Sequence, residues 1–263
     1  MTDRYLLYID ILGFAEIVRT GSEKISKLFA AIDRLNVHTD VTSKTIVFSD
    51  TILTFNLEDP DREDYHRTTV MYACEYVQDL MKWCTKLDIQ FRAILLYGPF
   101  DYRRMKNFEA YHGMALIEAY KKEKDLPAMG LFISNDLVRL SDVFKIAPFD
   151  DQFGFVFLTQ ELEHMRNYYN GELPLPWELL IDSPSFLWAE LDMLRALRDG
   201  IAKFDGKVKE KYLNTYDIYR QRYGDMFRTL EEGNFDLSVV NATIDWQDVR
   251  EDRWNLDDLS SSV

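Results

Sequence analysis

The chain of 263 residues contains 47% apolar side chains, enough to fill a large core, and this predicts a globular protein with one large domain or one domain and an appendage. Its formal net charge of −14 argues against double-stranded DNA as a partner, because nucleic-acid-binding proteins usually carry clustered positive charge. The apolar run from Tyr5 to Ile9 is too short for a signal peptide or a membrane-spanning helix, so we expect a cytoplasmic protein with no membrane partner.

Two aspartates interrupt apolar, strand-like segments. Asp10 lies in YLLYIDILGF, and Asp50 lies 40 positions later in TIVFSDTILTF. The β-branched and aromatic residues around Asp50 predict two short strands, with Ser49 and Asp50 in the turn between them. Two carboxylates at strand ends indicate a site for a divalent cation. For either aspartate alone, a purely structural role as a turn residue or helix cap remains open.

The apolar periodicity of the following segments predicts helices and strands in the order β-αα-ββ-α-ββ-α-β. Steps of three and four residues predict two helices between Phe14 and Leu35 and a third from about Tyr65 to Leu87. IQFRAILLYG predicts a strand that ends at Gly98, and residues 108–111 form its short return strand. MALIEAYKKEKDL predicts a helix after Gly113, and GLFIS a further strand. This order predicts an α+β fold with a mixed, mainly antiparallel sheet backed by helices.

The last third of the chain has a different character. Residues 149–158 predict another strand pair, and a proline-rich segment, ELPLPWELLIDSPS, follows. From Phe186 onward, apolar and aromatic residues at helical spacing predict two helices, divided by Gly200 and Gly206. This extension is either a helical hairpin packed on the sheet or an arm for dimerisation or partner binding. We therefore predict three regions: a first domain at 1–183, a helical extension at 184–233 and an acidic tail at 234–263.

Four of these motifs resemble class III nucleotidyl cyclases. YIDILGF resembles the first metal-binding strand of that family, and VFSDTILTF resembles its second metal hairpin. FRAILLYG is similar to the Arg-x-Gly-Ile-x-x-Gly strand, and GMALIEAYKKEK occupies the place of the last active-site helix. The motifs follow the family's order over about residues 5–138. They are most similar to small bacterial cyclase-like proteins, including the pyrimidine cyclases of the Pycsar anti-phage systems.

The resemblance implies a cyclase-like fold and a metal-dependent lyase acting as a homodimer. Such an enzyme closes a nucleoside triphosphate into a 3',5'-cyclic monophosphate, here a pyrimidine product, cyclic UMP or cyclic CMP, as an anti-phage signal. The resemblance assigns the metal, Mg²⁺ or Mn²⁺, to the carboxylates of Asp10 and Asp50 and the carbonyl of Ile11. Family members build each site from two chains, which implies that Lys121 faces the partner's Asp50.

Several family positions carry unusual residues in this chain. The base-reading Lys and Asp of purine cyclases fall on Ile46 and Ala110, so the usual purine-reading pair is absent. The transition-state Asn falls on Ile117. The phosphate-binding Arg falls on Lys121, which keeps the positive charge but loses the bidentate fork. These departures leave a second hypothesis open, a catalytically degenerate cyclase-like module that binds a nucleotide or a partner.

Four other cations are candidate phosphate ligands, although each could equally be an ordinary surface residue: Lys44, Arg92, Arg103 and Arg104. Motifs of other enzyme classes, such as G-x-x-x-x-G-K-[ST] or H-E-x-x-H, do not occur in the sequence. Cys74 and Cys84 fall within a helical pattern, which predicts buried, unreactive thiols.

Overall fold

The structure is a computed structural model, and it describes residues 1–35, 43–58, 62–176 and 184–246. The chain divides into two compact units, Met1–Leu80 with Ile89–Leu158 and Met81–Asp88 with Thr159–Val263. We call the first the sheet unit and the second the helical unit. The domain boundary predicted at residue 183 lies outside the described residues, as does the part of the predicted acidic tail that follows residue 246.

Within the described residues, the sheet unit contains one sheet of eight strands. The strands are β1 (Thr2–Leu12), β2 (Ser43–Phe48), β3 (Thr51–Asn56), β4 (Gln90–Arg104), β5 (Glu109–Gly113), β6 (Gly130–Ser134), β7 (Lys145–Pro148) and β8 (Phe153–Phe157). Their order is β2-β3-β1-β4-β6-β8-β7, and β5 pairs with the last residues of β4. Only the β4–β6 pairing is parallel among the described strands. The predicted mixed, mainly antiparallel sheet is therefore confirmed.

Strand β1 lies in the interior of this sheet, between β3 and β4. Its residues from Tyr5 to Ile9 are all buried. A strand covered on both faces needs apolar side chains on both, which explains why this segment is continuously apolar instead of alternating. Asp10 directly follows this run and is only partly buried. Its carboxylate therefore lies at the end of the continuously buried part of β1.

Among the described residues of the sheet unit, four α-helices begin: α1 (Phe14–Thr20), α2 (Ser22–Leu35), α3 (Glu63–Lys86) and α4 (Met114–Asp125). Helix α4 leads from β5 to β6 and makes the parallel β4–β6 pairing possible, since parallel strands need a crossover connection. Gly113 is required where β5 passes into α4. A Cβ atom there would lie 2.2 Å from the Pro99 carbonyl oxygen and 2.6 Å from the Phe100 Cα.

The strand pair predicted at residues 149–158 is displaced in the structure. Strand β7 ends at Pro148 and β8 begins at Phe153, so residues 149–152 form the turn. The Asp150 carboxylate accepts the backbone N–H groups of Gln152 at 2.9 Å and Phe153 at 2.8 Å. This local bonding favours a turn over a strand at Asp150.

The helical unit contains the end of α3 and, among its described residues, the helices α5 (Gln160–Tyr168), α6 (Pro184–Lys203), α7 (Gly206–Glu232) and α8 (Leu237–Val240). The two predicted helices are confirmed as α6 and α7, with the break between Lys203 and Gly206; the prediction fails only at Gly200, because α6 continues through it. A Cβ atom at Gly200 would lie 2.2 Å from the Tyr212 ring, so glycine is needed there for close packing of α7. No helix of the described residues has the length and hydropathy needed to cross a bilayer.

Both cysteines are buried free thiols, as the sequence predicts. Burial raises the pKa of the Cys74 thiol to about 12. A thiol that stays protonated is a poor nucleophile and a poor metal ligand, which is the expected state of an unreactive core cysteine.

Candidate functional site

Asp10 lies near the end of β1, which has one neighbouring strand on each side, β3 and β4. In the strand register it is opposite Thr51 of β3 and opposite Arg92 of β4. Its side chain is 18% exposed. A carboxylate at this position is therefore reachable from solvent, but it is held by two hydrogen-bonded strands.

Asp50 lies in the tight turn between β2 and β3, as the sequence predicts. Ser49, the first turn residue, has a φ of 57°, a left-handed conformation that short polar residues tolerate in turns. The carbonyl oxygen of Asp50 accepts the backbone N–H of Ile11 at 2.8 Å. This bond fastens the turn to the residue directly after Asp10, so the structure brings Asp10, Ile11 and Asp50 together.

The phenol of Tyr8 lies near both carboxylates. Tyr8 and Asp10 are two residues apart on β1 and therefore share a face of the sheet. Burial raises the pKa of Tyr8, a hydrogen bond with Thr51 lowers it, and the charges of Asp10 and Asp50 raise it further. Tyr120 of α4 acts on the same phenol. We call Tyr8, Asp10, Asp50 and Thr51 the carboxylate cluster.

The carboxylate cluster offers only oxygen ligands, which suit a hard divalent cation such as Mg²⁺ or Mn²⁺. No group of three or more His, Cys, Asp or Glu residues with metal-site geometry occurs in the described part of the chain. Two carboxylates alone are enough for Mg²⁺, since this ion usually keeps several waters and binds through one or two carboxylates together with substrate phosphates. The residues therefore fit a cation that is shared with a phosphorylated substrate.

Arg92 approaches the carboxylate cluster from β4, which pairs with β1 on the side opposite to β3. Its Nη2 atom lies 3.5 Å from Asp10 Oδ2 and also contacts Glu123 of α4. Its Nη1 atom donates to the carbonyl oxygen of Leu126 at 3.0 Å. Burial lowers the pKa of the Arg92 guanidinium, and the charges of Asp10 and Tyr8 raise it. The residue proposed from sequence as a phosphate ligand is thus placed in a buried ion-pair network.

Glu123 is the residue of this network that the sequence reasoning missed. It is 5% exposed and lies on α4 four residues after Ala119, which itself follows Ala115 by four. All three side chains are buried, and residues at steps of four share one face of a helix. This spacing was the signal in the sequence: a carboxylate occupies the third position of an otherwise small, apolar face.

Lys121 lies on the opposite, exposed face of α4. Ile117, at the family position of the transition-state Asn, is also exposed, with 46% of its surface accessible. Lys122 instead contacts Asp150, with 2.5 Å between Nζ and Oδ2. The exposed Lys121 therefore remains a candidate for the prediction that it faces a second chain.

The remaining predicted substrate residues lie elsewhere in the sheet. Ile46 is on the outer strand β2, opposite Leu53, and Ala110 is on β5, opposite Arg103. Arg103 is exposed and pairs with Asp101 at 2.8 Å. It follows Arg92 by 11 residues on β4, which corresponds to about 36 Å of strand at 3.3 Å per residue.

Within one chain, the structure therefore separates Ala110 and Arg103 from the carboxylate cluster. Lys44, another candidate phosphate ligand, pairs with Glu109 at 2.7 Å. Arg104 is exposed and lies opposite Glu109.

Comparisons of the chain with protein-family models and with curated protein sequences gave no match. Solved structures gave several. The monomeric guanylyl cyclase domain of the RhoGC fusion protein from the aquatic fungus Blastocladiella emersonii is 18% identical, with a TM-score of 0.48 over 59% of this chain and 94% of that one. The catalytic core of a rhodopsin-guanylyl cyclase with converted specificity, in complex with ATPαS, is 18% identical, with a TM-score of 0.47 over 59% and 95%. The adenylyl cyclase CyaB from P. aeruginosa is 11% identical, with a TM-score of 0.45 over 59% and 93%.

Proposed function

We propose that the protein is a metal-dependent nucleotidyl cyclase that converts a nucleoside triphosphate into a 3',5'-cyclic monophosphate and pyrophosphate. The observation that carries the proposal is the convergence of Asp10 and Asp50 beside Tyr8, with the Asp50 turn bonded to Ile11 at 2.8 Å. The four cyclase-like sequence motifs, in the family's order, support the same activity.

The reaction requires that the 3' hydroxyl lose a proton and attack the α-phosphate while pyrophosphate leaves. Bound Mg²⁺ or Mn²⁺ would supply Lewis-acid activation of the hydroxyl and neutralise the charge on the phosphates. Asp10 and Asp50 would hold the cation, together with the carbonyl of Ile11. Tyr8, which is only 4% exposed, places its phenol near both carboxylates. Its hydrogen bond with Thr51 links β1 to the strand that follows Asp50.

The finer part of the proposal concerns the substrate. We propose a pyrimidine nucleotide, with cyclic UMP or cyclic CMP as the product and an anti-phage signal as its role in the cytoplasm. Ile46 and Ala110 support this choice, because neither side chain can donate to or accept from the polar edge of a purine. The similarity of the motifs to small bacterial pyrimidine cyclases supports it as well.

We further propose a homodimer in which Lys121 serves the partner's site. The exposed face of α4 carries two apolar residues, Met114 at 57% and Ile117 at 46% exposure, together with Lys121. Apolar residues at the centre of a contact with charged residues at its rim are typical of two-fold interfaces between copies of a chain. In this arrangement Lys121 supplies a positive charge to the phosphates, in place of the family's Arg.

The test is direct. Purified protein is incubated with ATP, GTP, CTP or UTP in Mn²⁺, and the products are separated and identified by mass spectrometry. We expect a cyclic monophosphate from UTP or CTP with the wild type and none with Asp50→Ala. Asp142→Ala is the matched control, because the Asp142 carboxylate is 64% exposed and pairs with Arg67. The absence of cyclic product from all four nucleotides, in both Mn²⁺ and Mg²⁺, would contradict the proposal.

Two specific observations favour the alternative, a degenerate module that binds a nucleotide or a partner. Ile117 presents an apolar side chain to solvent where the family has Asn. Arg92, a candidate phosphate ligand, directs its two terminal nitrogens to Asp10, Glu123 and Leu126. Saturable binding of a nucleotide without any turnover would establish this alternative.

A further inference from the structure

The buried guanidinium of Arg92 carries one positive charge and has two acidic partners, Asp10 and Glu123. The side chains of Arg92 and Glu123 are each 7% exposed, and that of Asp10 is 18% exposed. A buried charge is tolerated when it is paired and hydrogen-bonded, and here one guanidinium is divided between two carboxylates and the Leu126 carbonyl. The three side chains together keep one negative charge.

The two carboxylates do not hold the guanidinium equally. Nη2 contacts Glu123 Oε1 directly, whereas the distance from Nη2 to Asp10 Oδ2 is 3.5 Å. Hydrogen bonds between charged groups are usually about 2.7–2.9 Å long, so the link to Asp10 is the looser of the two. The Leu126 carbonyl, which directly follows α4, accepts from Nη1 and also draws the guanidinium toward that helix.

We propose that Glu123 is a positioning residue that holds the Arg92 guanidinium away from Asp10, and so keeps Asp10 able to bind a divalent cation. Without the Glu123 charge, Asp10 is the remaining acidic partner of a buried guanidinium, and a close Arg–carboxylate pair would form in its place. That pair would compete with the cation for the same oxygens. The inference rests on the proposed function, because it takes Asp10 and Asp50 as the metal ligands.

The experiment measures Mn²⁺ binding directly, from the electron paramagnetic resonance signal of unbound Mn²⁺ titrated with purified protein and no nucleotide. For Glu123→Gln we expect an affinity about tenfold or more below that of the wild type. Glu118→Gln is the matched control: it removes the same charge from the exposed face of α4 and should change the affinity by less than about twofold.

Glu123→Asp separates positioning from a simple charge effect. It keeps the negative charge but is shorter by one methylene, so it should hold Arg92 less well and still weaken Mn²⁺ binding. The double variant Arg92→Met with Glu123→Gln removes both buried charges and provides a test if the single variant does not fold. In the double variant the guanidinium no longer competes for Asp10, and Mn²⁺ should bind at least as tightly as in the wild type.

Each outcome has a distinct meaning. Wild-type affinity in a folded Glu123→Gln or Glu123→Asp variant, or loss of Mn²⁺ binding in the double variant, overturns the role of Glu123. Mn²⁺ binding by the wild type that depends on Asp10 but yields no cyclic product overturns the proposed enzyme and leaves the role of Glu123 standing. Absence of Mn²⁺ binding by the wild type without nucleotide overturns the role of Glu123, and the cyclase assay then tests the proposed enzyme separately.

Discussion

Glu190 of α6 offers a quantitative test of the helical unit. Its side chain is completely buried, and its two oxygens accept the backbone N–H groups of Glu161 and Leu162, each at 3.0 Å, at the start of α5. Burial raises the pKa of Glu190 to about 8; these two N–H groups and Lys82 oppose the rise, and the charge of Glu161 adds to it. Tyr219 is also buried, and burial followed by the charge of Glu190 raises the pKa of its phenol.

The direction of the pH effect follows from this raised pKa. Because the folded-state pKa, about 8, lies above the ordinary value of 4.5, the contribution of Glu190 to stability is complete below pH 4.5 and is lost as the pH rises through 8. Each unit of pH inside this window costs about 1.4 kcal/mol. Between pH 6 and pH 8 the titration of this one carboxyl should lower the free energy of unfolding by about 2 kcal/mol.

The test replaces Glu190 with glutamine (Glu190→Gln), whose side chain cannot ionise. The tryptophans of the described residues, Trp83, Trp188 and Trp246, belong to the helical unit, so their fluorescence during urea unfolding reports on that unit. We expect the wild type to lose about 2 kcal/mol more than Glu190→Gln between pH 6 and pH 8. Glu210→Gln, which changes an exposed carboxylate of α7, should behave as the wild type does. Parallel pH profiles of the wild type and Glu190→Gln would refute the reasoning.

Three further predictions concern the sheet unit. Replacement of Asp10 by Asn or of Asp50 by Ala should remove metal-dependent turnover. Stability should change little or rise slightly, because two adjacent carboxylates repel each other without a cation. Turnover of Asp50→Ala at the wild-type rate would contradict the metal site. Mixing Asp50→Ala with Lys121→Ala chains should restore about one competent site per heterodimer. Inactivity of the mixture would contradict the shared site, as would sedimentation of the protein as a monomer at micromolar concentration. Gly113→Ala should reduce both activity and thermal stability, because the added Cβ lies 2.2 Å from the Pro99 carbonyl oxygen, and an unchanged melting temperature would show that α4 can shift at no cost.

The order of the strands and helices in the sheet unit could be predicted from the sequence, because each element has a local signal. The continuous apolar run of β1 indicates a strand covered on both faces, and the period of three to four residues indicates α1 to α3. Asp10 and Asp50 could also be singled out, since each interrupts an apolar segment with a costly charge. At Asp150 a local side-chain interaction competes with strand formation, and the observed strand boundaries there differ from the predicted ones.

The surroundings of Asp10 could not be predicted in the same way. Arg92 and Glu123 are 31 positions apart, and nothing in either local segment indicates that one binds the other. Their contact exists because β4 pairs with β1 in a register that places Arg92 opposite Asp10, and because the buried face of α4 ends in Glu123. The same holds for Gly200, whose closeness to Tyr212 depends on the packing of two helices.

The sequence by itself determined the order of most strands and helices of the sheet unit and the two carboxylates of the candidate site, because hydrophobic periodicity and the cost of an isolated charge act over a few residues. Only the tertiary structure decided which partners those charges have. Arg92 has the sequence context of a phosphate ligand, yet it is buried between Asp10 and Glu123. Charge pairing depends on distances in space, and these are set by strand register and helix packing between residues far apart in the chain.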